Sequence, residues 1–362
     1  MTIELGVDTF GDVTVGPDGR LLTQAQTLRH VVEQGVLADQ VGLDFFGTGE
    51  HHRPDFSISA PEVVLAAIAA RTTRIRLTSS VTVLSTDDPV RVFQRFSTLD
   101  AISNGRAEVV VGRGSFTESF PLFGYDLSLY DDLFEEKLNL WVELLKGGPV
   151  TWRGRLRPPL TGQRIYPPPE SGTLRTWVAV GGSPESVVRA AYYGLPLMLA
   201  IIGGSPQRFA PWVELYRERL VRFGQPPQPV GVHSPGHVAE TDETAKEELW
   251  PHYSTLMNRI GAERGWPPIG RAQFEHAAGP DGALYVGSPE TVAGKIVATI
   301  KALGLSRFSL KFANGTLPHD RLMKSLELYG TRVVPLVRDQ LSRTYTETPP
   351  AESWQTSTSR DG

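Results

Sequence analysis

The feature that most constrains the fold is a regular alternation of short apolar segments with amphipathic helical segments. Ile3 to Val7 alternates as a strand does, Thr23 to Gln40 has apolar residues at helical spacing, and Val41 to Phe46 is a second apolar run. The pattern repeats as far as Arg307–Phe312 and gives about eight strands, each followed by a helix. Such alternation requires a parallel sheet covered by helices, and eight repeats allow the sheet to close. We therefore predict an α/β fold, a (β/α)8 TIM barrel with loop insertions.

An open doubly wound sheet is the alternative architecture. It is disfavoured because no Gly-x-Gly-x-x-Gly motif follows the first predicted strand. No break in the pattern would separate two cores, so we predict a single domain over residues 1–341. The segment 342–362 is rich in Thr, Ser, Pro and charged residues and is predicted to be disordered. Three segments are predicted to be irregular loops on the surface: Ser115–Tyr130, Gly147–Gly172 and Gly261–Asp281.

Composition excludes several classes of function. The 362 residues include no cysteine, which excludes disulfides, thiolate metal sites and thiol nucleophiles. Lys and Arg number 36 against 40 Asp and Glu, so the chain has no excess of basic residues, and we expect no nucleic-acid or membrane partner. The sequence has neither a signal-peptide pattern nor an apolar run of membrane-spanning length, so we predict a cytoplasmic protein.

An acid and two imidazoles follow the second apolar run, as Glu50-His51-His52. The carboxyl ends of parallel strands carry the active sites of α/β barrels and of open α/β sheets. These three residues are therefore candidates for chemistry. The alternative is a polar loop whose histidines have no function.

Three predicted helices begin with the tripeptide Gly-Ser-Pro. Serine is a good N-cap, proline suits the first helical position, and glycine lets a ligand approach the backbone. The free N–H groups at such a helix start can bind a phosphate, although simple capping is the alternative at each position. Gly182-Ser183 is favoured for phosphate because it follows a late strand of the predicted barrel. The three starts are Gly182-Ser183-Pro184, Gly204-Ser205-Pro206 and Gly287-Ser288-Pro289.

Arg113 lies between two glycines directly after the predicted strand Ala107–Val111. An arginine at the carboxyl end of a strand could bind a phosphate through two parallel hydrogen bonds. An ion pair with a nearby carboxylate is the alternative.

The sequence argues against metal binding, and we predict no metal site. His51 and His52 are adjacent and would point to opposite sides of an extended chain. His233 and His237 are separated by Ser234-Pro235-Gly236, which prevents the helix that would align them. No His-Glu-x-x-His occurs, and no Gly-x-Ser-x-Gly follows a strand, so a serine hydrolase is also disfavoured.

Three segments together make the chain recognisable from Ile3 to about Val337. They are GLDFFGTGEHH, RIRLTSSVTVLSTDDPVRVFQ with LDAISNGRAEVVVGRG after it, and WVAVGGSPESVVRAAYYGLP. In this order and spacing the chain resembles the bacterial luciferase-like flavin monooxygenases, which include the luciferase alpha subunit and flavin-dependent alkanesulfonate monooxygenases. The resemblance implies a (β/α)8 barrel that binds FMN, receives it reduced from a separate flavin reductase, and uses O2 to oxidise a small organic substrate.

The resemblance also implies roles for individual residues. His51 matches the essential histidine beside the flavin, with Glu50 next to it. Ser80–Val81 matches the non-prolyl cis peptide bond under the flavin ring. Arg113 matches the phosphate-binding arginine. Ser183 and Ser186 match hydroxyl donors to the phosphate, and Gly182 stands where the luciferase has glutamate, which leaves that phosphate contact open. Phe10, Phe45, Phe46, Phe116 and Phe120 lie in or near strand ends and could form walls around the ring.

Two other readings of the resemblance stay open. Related barrels use the deazaflavin F420 for hydride transfer, and a flavin-binding relative without turnover would keep the pocket. Family members are commonly dimers or tetramers, so we expect a homo-oligomer. Loop composition does not identify the substrate.

Overall fold

The computed structural model describes residues 3–346 of the chain. Within that range eight parallel strands pair in a closed ring, which confirms the predicted (β/α)8 barrel. The ring closes where its first and last strands pair, with Val7 opposite Leu310. In order round the ring, the barrel strands are β1 (Glu4–Thr9), β2 (Phe45–Thr48), β3 (Arg76–Ser79), β5 (Ala107–Gly112), β8 (Arg175–Val180), β9 (Leu197–Ala200), β10 (Val230–Val238) and β12 (Arg307–Lys311).

Four further strands lie beside the ring. A short strand pairs with β5, another pairs with the second half of β10, and two form an antiparallel hairpin within the predicted 147–172 loop. They are β4 (Thr82–Val83), β11 (Tyr285–Gly287), β6 (Pro149–Trp152) and β7 (Leu160–Arg164).

Helices follow the barrel strands along the chain and pack around the ring. Their bounds are α1 (Gln24–Gln40), α2 (Pro61–Ala69), α3 (Pro89–Ile102), α4 (Ser119–Leu122), α5 (Tyr130–Leu145), α6 (Pro184–Tyr192), α7 (Ala210–Arg222), α8 (Asp242–Arg264), α9 (Arg271–Ala278), α10 (Pro289–Leu303), α11 (His319–Leu328) and α12 (Val334–Thr346). Among the described residues, none of these helices combines the length and the apolar character needed to cross a membrane.

Local sequence signals set where several helices begin. Thr23 and Gln26 form a capping box at the start of α1, and the Asp88 carboxylate accepts hydrogen bonds from the second and third backbone N–H groups of α3. Ser183 and Ser288 cap α6 and α10 as predicted. These caps satisfy N–H groups that have no partner within the helix, so the chain enters each helix at a fixed residue.

Charged and aromatic side chains fill the end of the barrel interior where the strands begin. Arg307 and Glu108, both fully buried, pair at 2.7 Å, and the Arg307 guanidinium lies 3.7 Å from the centroid of Phe45. Arg175 pairs with both Glu108 and Glu4. Burial acts to raise the pKa of Glu108, but the charge and hydrogen bonds of Arg307 together with the charge of Arg175 outweigh it, and the pKa is lowered. This ionic layer closes the floor of the barrel, so an interior site can open only at the other end.

Two of the predicted loops contain helices. Helix α4 lies within the predicted loop 115–130, and the predicted loop 261–281 contains the end of α8 and all of α9. Helix α8 continues past Gly261 because this glycine is buried, with the Cβ of Trp266 3.5 Å from the position its own Cβ would take. Strand β10 extends to Val238 because it pairs first with β12 and then with β11.

The chain end also differs in part from its prediction. Helix α12 extends to Thr346, beyond the predicted domain boundary at residue 341. The rest of the segment 342–362, from residue 347, lies outside the described residues.

Candidate active site

The carboxyl ends of the barrel strands, here called the mouth, hold His51 in a group of phenylalanine rings. The His51 ring centroid lies 4.5 Å from that of Phe10, 4.6 Å from that of Phe56 and 4.8 Å from that of Phe116. Within residues 3–346 neither ring nitrogen of His51 has a hydrogen-bond partner, and the residue is not fully buried. The imidazole is therefore free to bond a ligand at the mouth.

The environment of His51 keeps its imidazole neutral. Burial, followed by the positive charges of Lys311 and Arg53 and by His52, lowers the pKa of His51 from 6.5 to about 3. A neutral imidazole offers one N–H donor and one lone pair. His51 can therefore donate or accept a hydrogen bond at neutral pH without carrying charge.

Glu50 and His52 point away from His51 and bind each other. Glu50 Oε2 lies 3.0 Å from His52 Nε2, and Glu50 Oε1 accepts the backbone N–H of Val83 at 2.6 Å. The His52 ring also packs against Phe123 at 5.1 Å. The two histidines thus face different partners, as predicted from their adjacent positions.

The peptide bond between Ser80 and Val81 is cis, as the resemblance implied. The Ser80 N–H donates to the Thr48 carbonyl at 2.8 Å, which holds this bond beside the end of β2. A Cβ at Gly49 would lie 2.3 Å from the Ser80 carbonyl oxygen, so only glycine fits there. Val81 is half-buried and packs on an apolar cluster that includes Trp177.

Arg113 follows β5 at the mouth and forms an ion pair there. Its Nη1 lies 2.5 Å from Asp131 Oδ1, and its guanidinium lies 5.2 Å from the centroid of Tyr130. The guanidinium is partly exposed, whereas Asp131 is mostly exposed. The ion-pair alternative therefore describes the structure as it stands.

Helix α6 begins just after β8, and β8 is the neighbour of β5, the strand that Arg113 follows. Strand β5 pairs with β8 in a register that places Val111 opposite Val178, so Arg113 and the Gly181-Gly182 turn leave neighbouring strands at the same end. Ser183 Oγ accepts the Ser186 N–H at 3.3 Å and donates to Ser186 Oγ at 2.9 Å. A Cβ at Gly181 would meet nothing within 4 Å, so space remains in front of this helix.

The other two Gly-Ser-Pro starts are built differently. At α10 the Ser288 N–H donates to Asp242 Oδ1 at 2.7 Å, and Thr291 Oγ1 donates to the same carboxylate at 2.9 Å. A carboxylate thus already occupies the position an anion would take. Ser205 precedes a short 3₁₀ segment and makes no side-chain cap. Of the two starts that a serine side chain caps, that of α6 is the one without a carboxylate at its N–H groups.

The five phenylalanines named from the sequence do not act together. Phe10 and Phe116 lie against His51 at the mouth. In contrast, Phe45 lies under Arg307 at the barrel floor, Phe46 packs against Phe312, and Phe120 stacks on Tyr130. These last three are fully buried. Sequence proximity to strand ends did not distinguish the two groups, because strand alternation sends neighbouring side chains to opposite faces.

Sequence reasoning missed a polar layer beneath His51. Asp8 accepts hydrogen bonds from His233 Nδ1, at 2.9 Å, and from the Ser309 hydroxyl. The ring of His233 is stacked on that of Phe10 with centroids 6.1 Å apart. The available signal was alternation along β1, which places Glu4 and Asp8 on one face, with Phe10 next in the same alternation directly after the strand.

The histidines of β10 do not share a partner. His233 binds Asp8, whereas His237 Nε2 lies 2.9 Å from Glu248 Oε2. Both lie in an extended strand, so the predicted absence of a helix between them is confirmed.

Comparison with known proteins identifies the family. Residues 10–307 match the family model described as luciferase-like monooxygenase. The alkanal monooxygenase alpha chain of Photorhabdus luminescens is 24% identical in an alignment that covers 93% of this chain and 99% of that protein.

Two solved structures illustrate the range of cofactors found on this fold. The oxygenating constituent of 3,6-diketocamphane monooxygenase from Pseudomonas putida, in complex with FMN, aligns with a TM-score of 0.74, 21% identity, and coverage of 92% of this chain and 99% of that one. An F420-dependent secondary alcohol dehydrogenase in complex with an F420-acetone adduct aligns with a TM-score of 0.72, 19% identity, and coverage of 94% and 100%. At these identities the likeness shows the fold alone. Because the family model spans most of the chain, the protein belongs to the luciferase-like monooxygenase family.

Proposed function

We propose that the protein is a two-component monooxygenase that takes reduced FMN from a separate flavin reductase and uses O2 to oxidise a small organic substrate. One observation carries the proposal. Arg113 and the open start of α6 leave neighbouring strands at the same end of the barrel as His51 and the Ser80–Val81 peptide. An anion-binding corner and a neutral imidazole at one mouth match the two ends of a flavin mononucleotide.

The residues present fit such a cofactor. Arg113 supplies a cation, and Ser183 with the free N–H groups of α6 supplies donors for a phosphate ester. The half-buried Val81 and Ala179 pack on the same apolar cluster and offer a surface for a planar ring. Gly182, with φ of 109°, brings bare backbone to the phosphate corner where a side chain would crowd it.

FMN is preferred to F420 on two grounds. The alkanal monooxygenase relative aligns over almost its whole length, and a structural neighbour with the same barrel holds FMN. F420 remains the second candidate because a dehydrogenase of similar TM-score binds it. The chemistry of the phosphate corner suits either cofactor, so a direct binding measurement has to separate them.

The residues at the mouth have different proposed roles. A bound reduced flavin would supply the electrons and the oxygen chemistry. His51, neutral and free at both ring nitrogens, would donate or accept a hydrogen bond to a bound flavin or substrate. Phe10, Phe56 and Phe116 exclude water around that imidazole. Glu50, whose carboxylate oxygens are both engaged, positions the segment of the cis peptide rather than reacting itself.

The test is anaerobic fluorescence-quench titration of the full chain with reduced FMN, oxidised FMN, riboflavin and F420. We expect reduced FMN to bind most tightly and Arg113→Ala to weaken it about tenfold or more, the cost of one or more charge-assisted hydrogen bonds. Riboflavin, which lacks the phosphate, should bind the variant and the wild type alike. Arg155→Ala is the matched control because Arg155 is an exposed arginine paired with Asp132.

Each result has a consequence for the proposal. Binding of F420 alone would replace the monooxygenase proposal with deazaflavin hydride transfer. Binding of neither cofactor would refute both. Equal weakening of FMN and riboflavin by Arg113→Ala would remove Arg113 from the phosphate site.

A further inference from the structure

A second group of ligand-type side chains lies away from the mouth, between α1 and α11. His30 and Glu33 are three residues apart on α1 and share a helix face, and His319 is the first residue of α11. One ligand atom from each of the three residues lies within 4.8 Å of the other two. Both histidines are half-buried, and Glu33 is exposed.

The contacts within this cluster leave polar atoms without partners. His319 Nε2 lies 3.2 Å from Glu33 Oε2, and His319 Nδ1 lies 3.2 Å from the Gln34 amide nitrogen. The rings of His30 and His319 are stacked with centroids 3.8 Å apart. His30 Nδ1 and Gln34 Oε1 are buried without a hydrogen-bond partner. Such orphaned atoms cost free energy unless a further group binds them.

The orientation of the Gln34 amide sets the tautomer of His319. With the Gln34 amide nitrogen donating to Nδ1, His319 Nε2 carries the proton and donates it to the Glu33 carboxylate at 3.2 Å. The reversed amide would accept N–H from His319 Nδ1, which leaves a lone pair on Nε2. In that tautomer a cation could bind between Nε2 and the Glu33 carboxylate.

We propose that His30, Glu33 and His319 form a binding site for a divalent first-row metal ion, with Zn²⁺ as the representative ion. Two imidazoles and one carboxylate are a ligand set that zinc accepts, with water completing a tetrahedron. Gln34 would hold His319 in the required tautomer, as outer hydrogen bonds do at other metal-bound histidines.

Metal binding requires a limited local adjustment. Zinc–ligand bonds of about 2.0–2.2 Å place tetrahedral ligand atoms roughly 3.3–3.5 Å apart. The three ligand atoms, now within 4.8 Å of one another, would have to close by up to about 1.5 Å. One imidazole must also turn out of the stack, since parallel rings cannot both direct a lone pair at one ion.

The position of the site gives it a structural role. Helix α1 follows β1 and α11 follows β12, and these two strands pair to close the barrel. An ion shared by α1 and α11 would therefore link the two ends of the barrel across its seam. Binding to the folded chain alone stabilises it by about 2.7 kcal/mol when the free ion is at 100 times its Kd.

The test is titration of the EDTA-treated full chain with ZnCl2 by calorimetry, with Co²⁺ absorption spectra as a second readout. We expect one ion per chain, visible Co²⁺ bands of a four-coordinate site, and a rise in melting temperature with Zn²⁺. His319→Asn and Glu33→Gln should each weaken binding at least tenfold, and Gln34→Ala should weaken it about 10- to 100-fold. Far-UV circular dichroism establishes that each variant is folded.

His276→Asn is the matched control because it removes an exposed histidine from α9, outside the cluster. Its zinc affinity should equal that of the wild type. The proposal is overturned if no saturable binding occurs, or if His319→Asn and Glu33→Gln bind zinc as tightly as His276→Asn does. FMN binding plays no part in these readouts.

Discussion

Glu50 accepts the backbone N–H of Val83 with 2.6 Å between Oε1 and N, two residues beyond the cis peptide Ser80–Val81. Its other carboxylate oxygen lies 3.0 Å from Nε2 of His52. The backbone N–H of Glu50 also points to the Val81 carbonyl, at 3.4 Å. Glu50 thus joins the loop that carries His51 to the segment that carries the cis peptide.

Replacing Glu50 should therefore affect structure before chemistry. Glu50→Ala leaves the Val83 N–H without its charged acceptor, and we expect a loss of about 1.5–3 kcal/mol in the free energy of unfolding. FMN affinity should fall in parallel. Urea denaturation of the wild type, Glu50→Ala and Glu50→Gln measures the effect, and Glu50→Gln should lose less because it keeps an acceptor. Unchanged stability in Glu50→Ala would contradict the positioning role.

His51 should not titrate in the range where enzymes are usually assayed. Because its pKa is lowered to about 3, the ring stays neutral from pH 5 to pH 9, and kcat/KM should show no titration of His51 near pH 6.5. His51→Asn should reduce turnover strongly while FMN still binds. A wild-type titration near pH 6.5 that disappears in His51→Asn would show that the ring is more solvated than the structure indicates.

The same low pKa predicts sensitivity to acid. The unfolded chain binds a proton at His51 below about pH 6.5, whereas the folded chain does not until pH 3. The contribution to stability is therefore complete above pH 6.5 and is lost as pH falls from 6.5 towards 3, by up to about 1.4 kcal/mol per pH unit. His51→Asn should lose stability less steeply than the wild type over that interval, as measured by urea denaturation at successive pH values.

In the proposed function, Asp131 competes with the phosphate of FMN for Arg113. Asp131→Asn removes both the partner of Arg113 and a negative charge from the proposed phosphate corner. Exposed ion pairs contribute about 0.2–1 kcal/mol, so we expect FMN binding to tighten by up to about fivefold. Asp132→Asn is the control, since Asp132 pairs with Arg155 at the surface. Weaker FMN binding in Asp131→Asn than in Asp132→Asn would place the phosphate elsewhere.

Arg53 links the loops beside His51 through ion pairs. Its side chain is 6% exposed and pairs with Asp55, Glu118 and Glu263. The guanidinium also lies 4.5 Å from the centroid of Phe116, whose ring packs on His51. The cluster therefore links the segment after β2 to the segment after β5 and to the end of α8.

Removing this arginine should loosen the wall of the site. Arg53→Ala strips the buried centre from a charge network, a change that typically costs about 3–5 kcal/mol. We expect lower stability in urea and faster proteolysis within residues 115–124. Arg20→Ala is the control because Arg20 is 87% exposed and pairs only with nearby Asp18 among the described residues. Equal proteolysis of the two variants would mean that the cluster does not hold the loop.

The barrel itself follows from local signals in the sequence. Strand and helix periods, the capping residues Thr23, Asp88, Ser183 and Ser288, and the glycines at turns act within a few residues of chain. These short-range interactions are readable without a structure. The motif from Gly49 to His52 was placed at the mouth for the same reason, since the end of its strand is a local property.

Contacts that depend on closure of the ring had no such signal. Gln34 and His319 lie 285 positions apart, and Asp8 and His233 lie 225 apart. Each pair meets because β1 contacts β12 and β12 contacts β10. Likewise, the sequence left two partners open for Arg113, a bound anion or a carboxylate of the protein. In the structure Arg113 pairs with Asp131 because α5 packs beside the end of β5. The sequence by itself thus determined the elements and the end of the barrel where the site lies, whereas the tertiary structure decided which distant side chains share each charge and hydrogen bond, because those pairings arise only when the first and last strands meet.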